Sequence, residues 1–310
     1  MSQPQPGLAK AAALTRSVTA LSVATASVLL VLKAAVWLRS GSVALMASTA
    51  DSALDLLASA ATFFAVRYAA VPPDEDHRFG HGKAEAFASL LQAGLVFASA
   101  ALILQEAVRH LFHREPISHE TWGVGVMAIS IVATGGLVMA QTYMLRRANS
   151  VAVSGDRVHY LSDLASNAVV LVGVAASDML HAPALDVVAG MVVAVLLLWG
   201  AITVFREASA QLMDRELSDE ARARIIGLVA EDPRIAEVHQ LRTRASGPIT
   251  HIQMHAALDP DLTLEAAHKV VLAAEQRILT AFPAADILIH ADPHGRAEPH
   301  GGAFARTRPD

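Results

Sequence analysis

The chain has 310 residues, of which 54% are hydrophobic and 17% are charged, and its formal net charge is −5. Soluble domains typically contain about 25% charged residues, so this composition indicates a membrane protein. The modest charge and the lack of long basic runs give no indication of nucleic-acid binding. Cysteine is absent, which excludes disulfides and thiolate metal sites. Any bound metal must therefore use histidine and carboxylate ligands.

The first two thirds of the sequence predict an α-helical transmembrane domain over residues 15–210, preceded by a disordered N-terminus at residues 1–14. A helix that crosses a bilayer needs about 20 mainly apolar residues. Six segments meet this requirement, at residues 15–38, 43–69, 84–110, 121–145, 157–180 and 184–209. The second, third and fifth segments also contain polar residues at helical spacing, which is typical of helices that line a wet interior.

The basic residues near the ends of these segments predict the orientation in the membrane. One side holds most of them: Lys10, Arg16, Arg67, Arg78, Lys83, Arg146, Arg147, Arg157, Arg206 and Arg215. The other side holds only Arg39, Arg109 and Arg114. Both termini are therefore expected in the cytoplasm, as in a multi-pass protein of a bacterial inner membrane.

The apolar character ends near Gln211, and residues 211–293 predict a small cytoplasmic domain. Hydrophobic periodicity and turn residues give a helix capped by Ser218, two strands joined by a hairpin, a second helix and a third strand. This order predicts an α+β fold of the ferredoxin-like type. Residues 294–310 are rich in Gly, His and Pro and are expected to form a loose tail.

Two pairs of ionisable residues lie within the apolar segments: Asp51 with Asp55, and His159 with Asp163. Residues at i and i+4 share one face of a helix, about 5–6 Å apart. A single buried Asp is often only a packing hydrogen bond, but two such pairs on two spans favour an ion pathway. Three carboxylates and one imidazole supply the four ligands of tetrahedral zinc. Neighbouring polar residues would orient these ligands or hydrate the path: Ser48, Ser52, Ser59, Ser162, Ser166 and Asn167.

The loop between the second and third segments contains Asp74, His77 and His81. These residues converge only if the turn at Phe79 and Gly80 folds the loop back. They would then form a three-ligand metal site with one open position. The alternative is a polar loop whose histidines bind nothing.

The C-terminal domain contains a third group of candidate ligands. His239 and His255 lie on the first two strands, His290 and Asp292 on the third strand, and His268 on the second helix. An isolated histidine on a strand is usually an ordinary half-buried residue, but this number in one small domain predicts a metal site. The remaining histidines of this part of the chain are expected to be solvated: His251, His294 and His300.

Lys83 and Asp214 both lie at the predicted cytoplasmic ends of spans. A salt bridge between them would fix the third span to the start of the C-terminal domain. The alternative is two unrelated charges whose side chains extend towards water.

From about Leu14 to Pro293, the chain resembles the cation diffusion facilitator family, and in particular its bacterial ferrous-iron and zinc efflux pumps. The resemblance rests on the motifs ADSALD, DEDHRFGHGKAEA, HYLSDLASN and LRTRASGP, followed by IQMH and LIHADP. It implies six spans, a metallochaperone-like cytoplasmic domain and a homodimer that exports divalent metal in exchange for protons.

The resemblance also implies a role for each candidate residue. Asp51, Asp55, His159 and Asp163 would form the transport site, and Asp74, His77 and His81 the loop site. A binuclear site at the dimer interface would use His239, His255, His268, His290 and Asp292, while Lys83 and Asp214 would form a charge interlock between protomers. Ala291 departs from the family because close relatives have Gln there, so only a backbone carbonyl remains as a ligand. The loop RRANSVAVSGDR lacks the His-rich insert of eukaryotic zinc members, which indicates a bacterial type.

The choice of metal depends on His159. Imidazole suits zinc and iron, whereas a site made only of oxygen suits manganese and magnesium. We therefore expect zinc or cadmium to be the best substrates, with ferrous iron as a further candidate, and no organic cofactor. A membrane metal sensor or storage protein is the alternative. A metallohydrolase is disfavoured because the sequence has no HExxH motif or Ser/His pairing.

Overall fold

The computed structural model describes residues 6–40, 43–112, 121–180 and 183–295. The chain divides into a helical unit, Lys10–Ala210, and a second unit that begins at Gln211. The helices of the first unit are α1 (Pro6–Ser40), α2 (Val43–Ala69), α3 (Ala84–Phe112), α4 (Thr121–Leu145), α5 (Val151–Leu180) and α6 (Pro183–Leu212).

Five of these helices are long and apolar enough to cross a membrane, namely α1, α2, α3, α4 and α6. Over the residues that the structure describes, α5 is not among the helices that meet these criteria of length and hydropathy. Its first half contains Asp156, Arg157, His159 and Asp163, and these polar side chains lower its hydropathy. The five apolar helices establish a membrane-type helical domain.

The prediction of a disordered segment over residues 1–14 is wrong for the part that the structure describes, because α1 begins at Pro6. Proline is well tolerated in the first turn of a helix, where its missing N–H group has no intrahelical partner. The following residues, GLAKAAAL, are mostly strong helix formers. Residues 1–5 lie outside the described residues.

The predicted start of the fifth helix, at residue 157, is also wrong, because α5 begins at Val151. The Ser150 hydroxyl accepts a hydrogen bond from the backbone N–H of Val153 at 3.3 Å, as an N-cap side chain does. The same hydroxyl donates to the buried Glu85 carboxylate at the start of α3, at 2.6 Å. Residues 151–156 are therefore helical, and Asp156 lies inside the helix rather than in a loop.

The second unit has the predicted order of elements: α7 (Asp219–Ala230), β1 (Ile235–Ser246), β2 (Ile249–Leu258), α8 (Leu264–Ala281) and β3 (Ala285–Pro293). The Ser218 side chain caps α7, as predicted, and Thr263 caps α8 in the same way. β2 is the central strand, antiparallel to β1 and parallel to β3. The buried core of this unit includes Ile225, Ile252 and Ile278.

The register of this sheet brings three histidines into one row across the strands. His239 pairs with His255, and His255 pairs with His290. The pairing of β1 with β2 shifts between His239 and Arg242, and Gln240 in this interval has a positive φ of 53°. Such bulges change the direction of neighbouring side chains and are frequent beside functional sites.

Candidate metal sites

The helical unit brings three of the four predicted intramembrane ligands together. The His159 Nε2 atom on α5 lies 3.2 Å from Asp55 Oδ1 on α2 and 3.8 Å from Asp163 Oδ2. The His159 side chain is only 5% exposed, while those of Asp55 and Asp163 are 21% and 25% exposed. Asp51 is more exposed and lies outside this compact group. It precedes Asp55 by one helical turn on α2.

The chemistry of this group fits a divalent metal with a preference for nitrogen and oxygen ligands. One ligand atom from each of Asp55, His159 and Asp163 lies within 4.8 Å of the others. Among the described residues, His159 Nδ1 and Asp163 Oδ2 have no hydrogen-bond partner. Buried polar atoms usually have such partners, so their absence here is a feature that needs a functional explanation.

The serines expected to orient these ligands make other contacts. The Ser52 hydroxyl accepts a hydrogen bond from the Lys33 ammonium at 2.7 Å, and Ser166 donates to the backbone carbonyl of Ser162 at 2.8 Å. Ser59 lies 2.7 Å from the Tyr160 hydroxyl and donates to Asp156 at 3.4 Å. For these three serines, the contacts do not support the prediction that they orient the metal ligands, and the alternative that they hydrate the path stays a prediction.

A fully buried carboxylate that sequence analysis missed lies one turn before His159. Asp156 is 0% exposed and accepts hydrogen bonds from Gln92 Nε2 on α3 at 3.0 Å and Gln141 Nε2 on α4 at 2.8 Å. The bond from Ser59 adds α2 to this network. One side chain of α5 thus connects to three other helices. The spacing of Asp156, His159 and Asp163 at i, i+3 and i+7 on one helical face was the available signal.

The loop group is also brought together. Asp74 Oδ1 accepts the backbone N–H groups of Asp76 and His77 at 3.0 and 2.6 Å, and its second oxygen lies 3.2 Å from His81 Nε2. His77 Nδ1 lies 3.3 Å from Asp74. The backbone hydrogen bond from His77, followed by the charges of His81 and His77, holds the pKa of Asp74 below its ordinary value. Gly80 allows the chain to fold back, because its φ of 77° is in the left-handed region.

In the second unit, Asp292 is the centre of the histidine row. Its Oδ2 atom lies 3.1 Å from His239 Nε2 and 2.9 Å from His255 Nδ1, and its Oδ1 atom lies 3.2 Å from His290 Nε2. Burial opposes the ionisation of Asp292, but the hydrogen bond with His255 and the charges of the three histidines outweigh it and lower the pKa of this carboxyl. His268 is exposed on α8 and does not belong to this compact group in the single chain.

The expectation that His251 is solvated is wrong. Its side chain is 7% exposed, and its Nδ1 atom lies 2.9 Å from Asp286 Oδ2. The reason is its place on the central strand, where it pairs in register with Arg244 of β1 and Asp286 of β3. His294 is exposed, as expected, and His300 lies outside the described residues.

The predicted interlock between Lys83 and Asp214 stays a prediction, because these residues belong to different units. Within its own unit, Asp214 accepts a hydrogen bond from Arg244 Nη1 at 3.2 Å.

Long apolar helices with buried histidine and carboxylate groups, followed by an α/β unit with its own histidine cluster, define a membrane protein that handles metal cations. Comparison with known proteins makes this class more specific. The family model "Cation efflux transmembrane domain" matches residues 19–213, and "Cation efflux protein, cytoplasmic domain" matches residues 217–294. The chain therefore belongs to the cation efflux, or cation diffusion facilitator, family. It is a transporter of that family and not an enzyme.

Individual relatives agree with this assignment. The chain is similar to the cation-efflux pump FieF of Serratia proteamaculans, with 37% identity over 91% of this chain and 94% of the relative. Its similarity to FieF of Yersinia pestis is 39% identity over 92% of both chains. A solved structure of CzrB in its zinc form aligns with 27% of this chain and 98% of its own, at 32% identity and a TM-score of 0.26.

Proposed function

We propose that this cation efflux protein exports Zn²⁺, and also Cd²⁺, in exchange for external protons, with Fe²⁺ as a further substrate. The transport site would consist of Asp51, Asp55, His159 and Asp163. The observation that carries this proposal is the half-buried group in which His159 Nε2 lies 3.2 and 3.8 Å from carboxylate oxygens of two helices. The name of the FieF relatives, cation-efflux pumps, supports the same direction of transport.

Proton coupling follows from the ligand chemistry. An imidazole must be neutral and a carboxylate ionised before either can bind a metal, so metal and protons compete for the same atoms. On the acidic side of the membrane, protonation of His159 and the carboxylates would release the ion. On the cytoplasmic side, loss of those protons would let the next ion bind. Asp51 would complete a tetrahedral set by turning towards Asp55 from the preceding turn of α2.

For the membrane arrangement, we propose six spans, which are the five apolar helices and α5. Both termini would lie in the cytoplasm, and the location would be a bacterial inner membrane. The polar face of α5 is compatible with a span because its ionisable residues would face the interior of the bundle rather than lipid. The excess of Lys and Arg on one side supports the orientation.

For the second unit, we propose a ferredoxin-like fold that forms a homodimer and senses cytoplasmic metal. The matching family model, "Cation efflux protein, cytoplasmic domain", supports a role of this unit in cation efflux. His239, His255, His290 and Asp292 would bind zinc within one chain, and the exposed His268 would join the site across the dimer interface. The loop group of Asp74, His77 and His81 would bind a further ion, and Lys83 and Asp214 would link the protomers.

The test is zinc transport by the purified protein in liposomes, followed with a trapped dye under an imposed proton gradient. We expect flux in the wild type and none in Asp51→Ala or Asp55→Ala. Asp261→Ala, which removes an exposed carboxylate of the second unit, is the control and should retain flux. Zinc binding without flux in the wild type would instead support a metal sensor or storage protein.

A further inference from the structure

A buried lysine lies beside the proposed transport site. Lys33 of α1 is 9% exposed, and its Nζ atom donates hydrogen bonds to Ser52 Oγ at 2.7 Å and to the Ser48 carbonyl at 3.4 Å. Both partners are acceptors, as an ammonium group with three donors requires. A charged group at membrane depth is costly and is typically paired or functional.

The two acceptors place this ammonium group on the ligand-bearing part of α2. Ser52 directly follows Asp51, and it precedes Asp55 by less than one helical turn. The positive charge of Lys33 interacts electrostatically with Asp51, Asp55 and Asp163. The hydrogen bonds of Lys33 to Ser48 and Ser52 thus place its ammonium group beside the stretch of α2 that carries the proposed ligands.

We propose that Lys33 is a counter-charge of the transport site and limits how tightly that site holds a divalent ion. The inference rests on the proposed function. Three ionised carboxylates carry three negative charges, and a divalent ion balances two of them. Lys33 supplies the remaining positive charge, so the loaded site is electrically neutral while it changes its access across the bilayer.

The same charge opposes the metal. Coulomb repulsion between an ammonium group and a divalent ion is strong where water is scarce, so Lys33 lowers metal affinity and speeds release. A transporter gains from this arrangement because an ion held too tightly is not released. A purely structural role, in which Lys33 only connects α1 to α2, predicts no change in zinc affinity when the charge alone is removed.

Three substitutions separate charge from hydrogen bonding. Lys33→Gln keeps a donor for Ser52 but removes the charge, Lys33→Met removes both, and Lys33→Arg keeps both. Lys269→Met is the matched control, because Lys269 is an exposed lysine whose partner is Glu265 at 2.6 Å. Each variant is reconstituted as the full chain, and zinc flux is measured as a function of zinc concentration.

We expect Lys33→Gln and Lys33→Met to reach half-maximal flux at a zinc concentration at least about tenfold lower than the wild type, and to have a lower maximal rate. In Lys33→Arg the half-maximal concentration should stay close to that of the wild type. Equal half-maximal concentrations in Lys33→Gln and wild type would overturn the inference.

Two further results keep the test decisive. If Lys33→Met does not fold, two single variants, Lys33→Gln and Ser52→Ala, are compared instead. Lys33→Gln removes the charge, whereas Ser52→Ala removes the hydrogen-bond acceptor and leaves the charge. A Ser52→Ala variant that reproduces the effect of Lys33→Gln would assign the role to the hydrogen bond and overturn the counter-charge. Absence of flux in the wild type would instead overturn the proposed transport function itself.

Discussion

At the scale of single residues, the nature of the intramembrane site depends on one imidazole among carboxylates. His159 is more buried than either of its acidic neighbours, and it contacts one carboxylate on its own helix and one on α2. Nitrogen ligands favour zinc and similar metals, whereas oxygen ligands accept harder cations such as manganese. The identity of this one side chain should therefore set metal selectivity.

We predict that His159→Asp relaxes selectivity towards manganese. The ratio of zinc flux to manganese flux should fall by about tenfold, because the only nitrogen ligand of the site is lost. The measurement is metal uptake into liposomes with each ion in turn. His294→Asp is the control, since His294 is an exposed histidine that belongs to none of the proposed metal sites. An unchanged ratio in His159→Asp would contradict the prediction.

At the scale of elements, Gly155 sets how closely α5 packs on its neighbours. A Cβ atom at this position would lie 3.2 Å from Gln92 Cβ, 3.3 Å from Ser89 Cα and 3.4 Å from Val204 Cγ1. Gln92 is also the α3 donor to Asp156. Close approach of α3 and α5 is thus necessary for the buried network next to His159.

Gly155→Ala should therefore destabilise the helical unit by about 1–3 kcal/mol, the usual cost of overpacking. Gly94→Ala is the matched control on α3, because a Cβ atom there would meet nothing within 4 Å. It should be neutral or slightly stabilising, since Ala favours helix over Gly. Thermal unfolding in detergent, followed by tryptophan fluorescence, reports this unit because all 3 tryptophans lie between residues 10 and 210. Equal midpoints for the two variants would rule out tight packing at Gly155.

A second prediction at this scale concerns the turn between α7 and β1. Asp232 accepts hydrogen bonds from the Arg234 side chain at 2.9 and 2.8 Å and from its backbone N–H at 3.1 Å. The Arg234 side-chain hydrogen bonds outweigh burial, and the pKa of Asp232 is lowered from 3.8 to about 2. Because the pKa of Asp232 is lower in the folded chain than in the unfolded chain, its ionisation stabilises the folded state at pH values above about 4. This stabilisation is lost as the pH falls from about 4 to about 2.

Asp232→Asn should accordingly cost about 1–2 kcal/mol near neutral pH, with the difference from wild type shrinking towards pH 2. Hydrogen exchange of the segment that contains β1, measured on the full chain, follows this loss. Asp219→Asn is the control: its carboxylate is 96% exposed and 3.6 Å from Arg222, so its effect should be within about 0.5 kcal/mol. A pH-independent difference for Asp232→Asn would argue against the ionic origin.

The limits of sequence prediction also belong to this scale. Hydrophobic period and length were sufficient to predict the apolar helices and the order α7, β1, β2, α8 and β3, because burial dictates both patterns. The hydrophobic pattern does not reveal the network around Asp156, because it places this residue in the loop before α5. The start of that helix depends on the Ser150 cap, and a single capping residue contributes little to the pattern. Lys33 was missed because its partners lie on another helix, which a one-dimensional pattern does not reveal.

At the scale of the whole molecule, the second unit would connect metal level to transport. Its histidine row depends on strand register, and Asp292 lies within hydrogen-bonding distance of three histidines. Because the pKa of Asp292 is lowered by these neighbours, this carboxylate stays ionised below its ordinary pKa. Loss of zinc from this site at low pH is therefore not expected to begin with protonation of Asp292.

We predict that zinc brings the second units of a dimer closer together, and that acidification to about pH 5.5 reverses this because protonated imidazole cannot bind metal. The chain contains no cysteine, so Asp261→Cys provides a unique position for a spin label. Distances between labels in the reconstituted full chain should become shorter and more uniform with zinc. His255→Ala should weaken this response at least about tenfold in zinc concentration, while His294→Ala, which changes an exposed histidine outside the row, should respond like the wild type. A normal zinc response in His255→Ala would contradict the prediction, because it would show that zinc binding by the histidine row does not bring the second units together.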